Sequence, residues 1–450
     1  MVETIVLLSS GLFLGWSLGA NDAANVFGAA VGARMIRFRT AAAVCSVFVV
    51  LGATISGAGA ADTLGRLGAV SALPGAFAVA LAAAVSTFWM GRLRIPVSSS
   101  QSIVGAILGW NLYTASATDS SSLVRIVSTW AACPVLAGVL AVLLFLMTRW
   151  LITVFKPHLL RLDHMTRLGL LLAGAFGSYS LGANNIANVM GVFVADNPFS
   201  DKSVFGLFTL SGVRQLFLLG GLSIAVGVTT YSERMMRTVG TGLARISPVS
   251  ALVVVLAQSL TLFLFASERL EQLLDGWGLP TIPLVPASSS QAVVGAIVGI
   301  SLLRRAGLRR RMIGGISLGW LATPLLACAT SLILLFFVDN VFEQEVARPQ
   351  RFRSDAEVVG EVERLGLPAV KLAEFMGRER TNALRMSREL QLSAEAGPAW
   401  MPRGSGGSPN LPDKEPEKKL SYLERVFRSD VQEDAEADAV NGGPAVHPEP

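Results

Sequence analysis

The sequence carries one short polar motif twice, each time inside an apolar stretch. Residues 19–28 read GANDAANVFG, and residues 182–191 read GANNIANVMG. Asn21, Asp22 and Asn25 supply oxygen ligands without bulk, which suits hard cations such as sodium. A carboxylate inside an apolar span is costly and normally marks an ion or proton path. The motif therefore predicts a cation site, and the alternative is a structural polar pair between two helices.

A second duplicated motif is rich in hydrogen-bond donors. Residues 96–109 read PVSSSQSIVGAILG, and residues 286–299 read PASSSQAVVGAIVG. Proline followed by serine is typical of a helix start, and helix N-termini present free N–H groups to oxyanions. Two such starts predict a donor-rich cage for a tetrahedral anion. The alternatives are capping without a ligand and a serine nucleophile, which would need a base; the nearest candidates, His158 and His164, lie in a basic loop.

The composition separates a membrane domain from a polar tail. The chain has 450 residues, 52% of them hydrophobic, and residues 338–450 hold 21 of its 32 acidic residues. The remaining part contains apolar stretches long enough to cross a bilayer as helices. These ten stretches lie at 4–33, 40–61, 73–91, 95–113, 122–148, 168–195, 203–230, 247–267, 281–303 and 312–338.

The arginines predict how these stretches cross the membrane. Every second loop is basic, beginning with Arg34, Arg37 and Arg39, which is typical of cytoplasmic loops rather than of nucleic-acid binding. The pattern predicts that both chain ends lie outside, with the first apolar run retained as a membrane segment. Arg214 lies inside a predicted span, where it could pair with the anion or with Asp22, or could extend to the membrane surface.

A third match pairs Trp130 and Pro134 with Trp320 and Pro324. Together the three matches divide the membrane domain into two copies of five spans. Because five is odd, the second copy enters from the opposite side. The fold class is therefore an all-α polytopic membrane protein with an inverted-topology repeat and roughly 10–12 transmembrane helices. Stretches 95–113 and 281–303 are short and are expected to be broken or re-entrant.

The expected organisation follows from these matches. It consists of a first membrane repeat at 1–150, a basic cytoplasmic linker at 151–167, a second repeat at 168–338 and a partly disordered tail at 339–450. Gly11, Gly15 and Gly19 recur every four residues and predict a packing ridge on the first helix. The tail is expected to be a solvated appendage, with regulation or partner binding as the alternative.

Together these motifs, in order and in both halves over about residues 5–335, resemble the inorganic phosphate transporter (Pit) family. The resemblance implies a sodium- or proton-coupled phosphate permease. It implies that the cation site is formed by Asn21, Asp22, Asn184 and Asn185, and that the only metal expected is a sodium ion at Asp22. The implied substrate site consists of Ser98, Ser99, Ser100, Gln101, Ser288, Ser289, Ser290, Gln291, Asn25 and Asn188.

The chain departs from the family pattern at two kinds of position. The family usually has aspartate where this chain has Asn185, and histidine where it has Gln101 and Gln291. These changes remove acceptors, whereas protonated phosphate has protons to donate and sulfate has none. Sulfate or another oxyanion is therefore the alternative substrate.

The sequence thus predicts a secondary transporter rather than an enzyme, with an inorganic anion and the lipid bilayer as partners. No organic cofactor and no nucleic acid are expected, and a homo-oligomer remains open. The predicted location is the plasma or inner membrane. A passive anion channel is the more distant alternative, followed by a sensor that would use the tail.

Overall fold

The apolar stretches of the sequence form long helices. Their small and aliphatic side chains have good helical propensity, and a helix satisfies its own backbone hydrogen bonds without a neighbouring strand. The computed structural model describes residues 2–348 apart from residues 69, 93–96, 117, 205–207, 243–246, 280 and 306–309. The predicted tail beyond residue 348 lies outside the described residues. The helices of the described part are α1 (Val2–Gly32), α2 (Phe38–Ser56), α3 (Ala58–Leu67), α4 (Leu73–Arg92), α5 (Ser99–Thr114), α6 (Ser120–Phe155), α7 (Leu159–Met190), α8 (Gly212–Gly242), α9 (Pro248–Ala266), α10 (Glu268–Gly276), α11 (Ser289–Leu303) and α12 (Arg310–Asn340).

Seven of these helices are long and apolar enough to cross a bilayer, namely α1, α2, α4, α6, α8, α9 and α12. Helices α5 and α11 have 16 and 15 residues, about 24 Å of helix, which is less than the roughly 30 Å hydrocarbon core. They match the two predicted stretches that were expected to be broken. The chain is an all-α polytopic membrane protein, and its orientation in the bilayer stays a prediction.

The predicted span at 203–230 begins too early. Two short strands instead lie in this stretch, β1 (Lys202–Val204) and β2 (Phe208–Leu210), and they pair antiparallel with Ser203 opposite Thr209. The backbone N–H of Gly212 then donates to Asp201 Oδ1 at 2.7 Å, so an acidic side chain fixes the start of α8.

The expected linker at 151–167 is mostly helical. Its first residues end α6 and its last residues begin α7. Between them Lys156 adopts a left-handed conformation with φ of 39° and closes α6 through its N–H, which donates to Ile152 O at 3.0 Å. His158 then caps α7, so this histidine has a local structural role.

The helices of the two predicted halves pack reciprocally. Helix α1 packs against α8, and α2 packs against α7; likewise α5 packs against α12, and α11 packs against α6. Each half therefore supplies the neighbour of an element in the other half. This is the packing expected of a two-fold repeat, and the inverted orientation itself stays a prediction.

Glycines allow the reciprocal helices to approach closely. A Cβ on Gly19 would collide with the carbonyl of Ile224, and a Cβ on Gly182 would collide with the carbonyl of Val49. These two glycines begin the two copies of the GAN motif. The packing ridge predicted on α1 is confirmed, because Gly19 lies against the α8 backbone.

The end of α5 that lies away from its serines is held by the end of α12 and the segment after it. The indole N–H of Trp110 donates to the carbonyl of Val346 at 3.0 Å. The hydroxyl of Tyr113 donates to Asp339 Oδ2 at 2.8 Å. Short helix α5 is thus anchored at this end, and its serine-bearing start lies in the interior.

Candidate functional site at the repeated motifs

The two copies of the GAN motif meet inside the protein. Asp22 lies in the middle of α1, and Asn185 lies near the end of α7. The Asn185 Nδ2 donates to Asp22 Oδ2 at 2.9 Å. The two residues are 2% and 1% exposed, and Asp22 is the single charged residue among the buried residues that the structure describes. The carboxyl group of Asp22 is therefore buried, and an unpaired charge there is costly.

A chain of hydrogen bonds fixes the orientation of both asparagines. Asn184 Oδ1 accepts from the backbone N–H of Ala287, and Asn184 Nδ2 donates to the Ala287 carbonyl, each at 2.7 Å. The second hydrogen of Asn184 Nδ2 is donated to Asn185 Oδ1 at 3.0 Å. Because a backbone carbonyl can only accept, Asn184 cannot be flipped, and Asn185 must then present its N–H group to Asp22.

The duplicated serine motifs form two capped helix starts, as predicted. Ser98 Oγ accepts from Gln101 N at 3.4 Å before α5, and Ser288 Oγ accepts from Gln291 N at 3.3 Å before α11. All six serines are at most 8% exposed. The free N–H groups of these first turns and the remaining hydroxyls give two buried groups of donors suited to an oxyanion.

Each GAN copy binds the serine motif of the opposite half. Asn25 Nδ2 donates to Ser289 Oγ, and Asn188 Nδ2 donates to Ser100 Oγ, each at 3.1 Å. The Asp22 side chain also interacts with the hydroxyls of Ser99 and Ser289. The residues predicted for a cation and those predicted for an anion therefore form one connected cluster rather than two separate sites.

Three buried acceptors in this cluster have no hydrogen-bond partner among the described residues. They are Oε1 of Gln101, Oε1 of Gln291 and Oδ1 of Asn188. For Asn188 the assignment follows from its neighbours, since Ser100 donates its only hydrogen to the Ala287 carbonyl at 3.1 Å and must accept from Asn188 Nδ2. Buried polar atoms normally find a partner, so Asn188 Oδ1 points to a ligand that donates a hydrogen bond. The amides of Gln101 and Gln291 each offer an acceptor and a donor to the same ligand, since no described neighbour fixes their orientation.

Some predicted residues lie apart from this network. Asn21 is half-buried one residue before Asp22. Arg214 is exposed in the first turn of α8, which agrees with the surface alternative and not with pairing to Asp22. His164 is exposed as well.

Sequence reasoning missed other buried polar groups. The Ala287 carbonyl accepts from both Asn184 and Ser100, so a backbone group connects the two halves. Gln258 in α9 and the pair Ser86 and Thr87 in α4 are buried with side-chain polar atoms that have no described partner. Polar residues inside otherwise apolar spans were the available signal for them.

Comparison with known proteins places this geometry in context. The sequence profile of the phosphate transporter family matches residues 18–331. A candidate phosphate permease of Haemophilus influenzae is 26% identical over 73% of this chain and 94% of its own length. A candidate phosphate permease of Pyrococcus horikoshii is 23% identical over 71% of this chain and 93% of its own.

One solved structure shares the fold. It is described as the sodium-dependent phosphate transporter, and it aligns with a TM-score of 0.59 and 22% identity. The alignment covers 75% of this chain and 99% of that one.

Proposed function

Because the chain belongs to the phosphate transporter family, we propose that it imports inorganic phosphate across a plasma or inner membrane together with sodium ions. The family is one of permeases and not a class of enzymes. Coupling to protons is the runner-up, and both versions use the same cluster.

The observation that carries this proposal is the hydrogen-bond network that joins Asp22 to both serine motifs. Asn185 donates to Asp22 and accepts from Asn184, which bonds the backbone of Ala287 directly before the cap of α11. The Ala287 carbonyl also accepts from Ser100 at the start of α5. A cation beside this carboxylate would lie next to the donors that hold an oxyanion. Binding of each ion then lowers the cost of binding the other, which favours a carrier loaded with both ions.

Energetics favour a coupled carrier over an uncoupled one. An anion entering against a negative-inside potential costs about 2.3 kcal/mol per charge per 100 mV. Co-transported cations offset this cost. Oxygen-rich groups such as the Asp22 carboxylate and the Ser99 hydroxyl suit a hard cation, and the solved structure of similar fold is named for its sodium dependence.

Phosphate is favoured over sulfate by the acceptors that lack partners. A protonated phosphate can donate its O–H groups to Gln101 Oε1, Gln291 Oε1 or Asn188 Oδ1, which are buried without a described partner. Sulfate has no proton to donate at neutral pH and would leave these acceptors unsatisfied, at a cost of about 1–3 kcal/mol each. Glutamine in place of histidine keeps an amide oxygen that can accept, so the loss of acceptors expected from the sequence applies to residue 185 and not to residues 101 and 291.

The reciprocal packing of the helices indicates how the site could open to one side of the membrane and then to the other. Each serine-bearing helix packs on a helix of the opposite half, α5 on α12 and α11 on α6. In our proposal the two halves rock around the cluster, which opens alternately to either side. Cation and anion load together, and the empty carrier returns.

The experiment compares Asp22→Asn with Asp163→Asn in proteoliposomes. Asp163 is an exposed residue that pairs with Arg167 and serves as the matched control. We expect Asp22→Asn to lose at least about tenfold of the sodium-driven uptake of radiolabelled phosphate, and Asp163→Asn to retain it. Unchanged accumulation in Asp22→Asn would refute the coupling role.

Two further measurements separate the alternatives. A competition panel of phosphate, sulfate, arsenate and molybdate, with and without sodium, identifies the anion. A passive channel would show uptake that does not saturate and does not follow the sodium gradient, whereas the proposed carrier shows both behaviours.

A further inference from the structure

We propose that the side-chain amide of Asn185 takes the place of one coupling cation beside Asp22. In this chain phosphate would therefore travel with one sodium ion fewer than the same site would need with a carboxylate at residue 185. The inference rests on the proposed function, since it concerns the ions coupled to phosphate at that site.

The internal repeat shows which residues correspond. GANDAAN at residue 19 and GANNIAN at residue 182 place Asp22 and Asn185 at the same motif position. The fold brings these two positions into direct contact at 2.9 Å, across the contact between α1 and α7. Two identical copies would therefore place two carboxylates face to face in a buried site. Like charges at that distance need either a cation or a shared proton between them.

The side-chain amide of Asn185 directs the positive end of its N–H dipole at Asp22. Asn185 Oδ1 is occupied by the N–H of Asn184, which is itself fixed by the Ala287 backbone. Asn185 is therefore held with its N–H directed at Asp22, and its oxygen is directed away. It acts toward the carboxylate as a fixed donor, where a cation would otherwise lie.

Among the described buried residues, no positively charged side chain takes this place beside Asp22. The buried residues that the structure describes include no lysine, arginine or histidine, and Arg214 is exposed. The negative charges of Asp22 and of the anion must then be balanced by transported cations and by the donors of the two helix starts. Unless the pair shares a proton, each carboxylate added to it adds the need for one more cation.

The proposal predicts that the number of bound sodium ions follows the number of carboxylates at residues 22 and 185. Asp22→Asn has none, the natural chain has one, and Asn185→Asp has two. The double variant D22N/N185D again has one, on the other helix. Its hydrogen bonds can reverse, because Asn184 still donates to residue 185 and the new amide at residue 22 donates to the carboxylate.

The test uses the full-length protein and two readouts. Sodium titration of the purified protein, followed by calorimetry and by the shift in thermal unfolding, counts sodium ions without requiring transport. Paired fluxes of ²²Na and ³²P-phosphate in liposomes then give the coupling ratio. We expect Asn185→Asp to raise the sodium Hill coefficient and the flux ratio by about one, and D22N/N185D to return both to the natural values.

The outcomes separate this inference from the proposed function. Equal sodium counts in the natural chain and in a folded Asn185→Asp would overturn the inference while sodium-driven phosphate uptake still stands. If Asn185→Asp does not fold, a sodium count in D22N/N185D that differs from the natural chain overturns it instead. Absence of sodium-dependent phosphate flux in the natural chain would refute the proposed function, and the titration would still decide the role of Asn185.

Discussion

Asn184 exchanges two hydrogen bonds of 2.7 Å with the backbone of Ala287, the residue directly before the cap of α11. The Asn184 side chain, which belongs to α7, therefore positions the start of α11, a helix far from α7 in the sequence. This bond pair also begins the chain of donors that ends at Asp22.

Replacing Asn184 by aspartate should destabilise the protein. The carboxylate cannot donate to Ala287 O or to Asn185 Oδ1, so two buried hydrogen bonds are lost at about 1–3 kcal/mol each. The thermal unfolding midpoint of the purified protein should fall. Asn21→Asp is the control at the corresponding position of α1, which is only half-buried, and an equal fall in both variants would contradict the assignment.

Replacing Gly295 or Gly105 by alanine should also destabilise the folded protein. The alanine Cβ would collide with the backbone carbonyl of Pro134 in α6 or of Pro324 in α12, so α11 would have to move away from α6, or α5 from α12. Overpacking of this kind costs about 1–3 kcal/mol, more than the roughly 1 kcal/mol of helix propensity gained. Thermal unfolding measures the difference against Gly65→Ala, where the added Cβ meets nothing within 4 Å; stabilisation at Gly295 would disprove the close packing.

Leucine at Gln101 or at Gln291 should reduce the preference for phosphate. Each substitution keeps the volume and removes one of the acceptors that lack a described partner. We expect the affinity for phosphate to fall by about tenfold, equivalent to 1.4 kcal/mol. Sulfate competition on the same variants is the internal control, since the affinity for sulfate should change less. An equal loss of affinity for both anions would mean that these oxygens do not accept hydrogen bonds from the O–H groups of phosphate.

Asp119→Ala tests the cap of α6, which lies outside the membrane-spanning segments. Asp119 Oδ1 accepts from Ser121 N at 2.9 Å. Burial alone would raise the pKa of Asp119, but hydrogen bonds from Ser122 and Ser121 outweigh it and lower the pKa. The cap therefore stabilises the fold above the usual carboxyl pKa and loses its effect as the pH falls through the lowered value.

The expected cost of Asp119→Ala is about 1 kcal/mol at pH 7. Unfolding midpoints at pH 7 and in acid should show the difference from the natural chain shrinking as the pH falls. Asp163→Ala removes only an exposed ion pair with Arg167 and should change little. A difference for Asp119→Ala that is constant with pH would contradict the assignment.

The sequence was sufficient for features that are local or repeated. The serine caps at Ser98 and Ser288 follow from turn chemistry, and the burial of Asp22 follows from its place in an apolar span. The family resemblance is confirmed by the profile match. The roles assigned to individual site residues stay predictions.

Other features depend on tertiary contacts that a sequence pattern does not encode. The partner of Asn184 is a backbone group, and a backbone group leaves no signal in the residue type of Ala287. The break between α2 and α3 falls at Gly57, inside a continuous apolar stretch that predicted one span. The orientation of Asn185 follows only from the whole hydrogen-bond chain.

The packing of α5 on α12 and of α11 on α6 limits what a single half of this chain could do alone. A gene that encoded a single half would leave its serine-bearing helix without the helix that supports it, so its product could work only as a pair of identical chains. In such a pair residue 22 would face its own copy and could be only two carboxylates or two amides. Asp22 facing Asn185 is therefore an arrangement that a pair of identical halves cannot hold, and it requires two copies that differ in sequence.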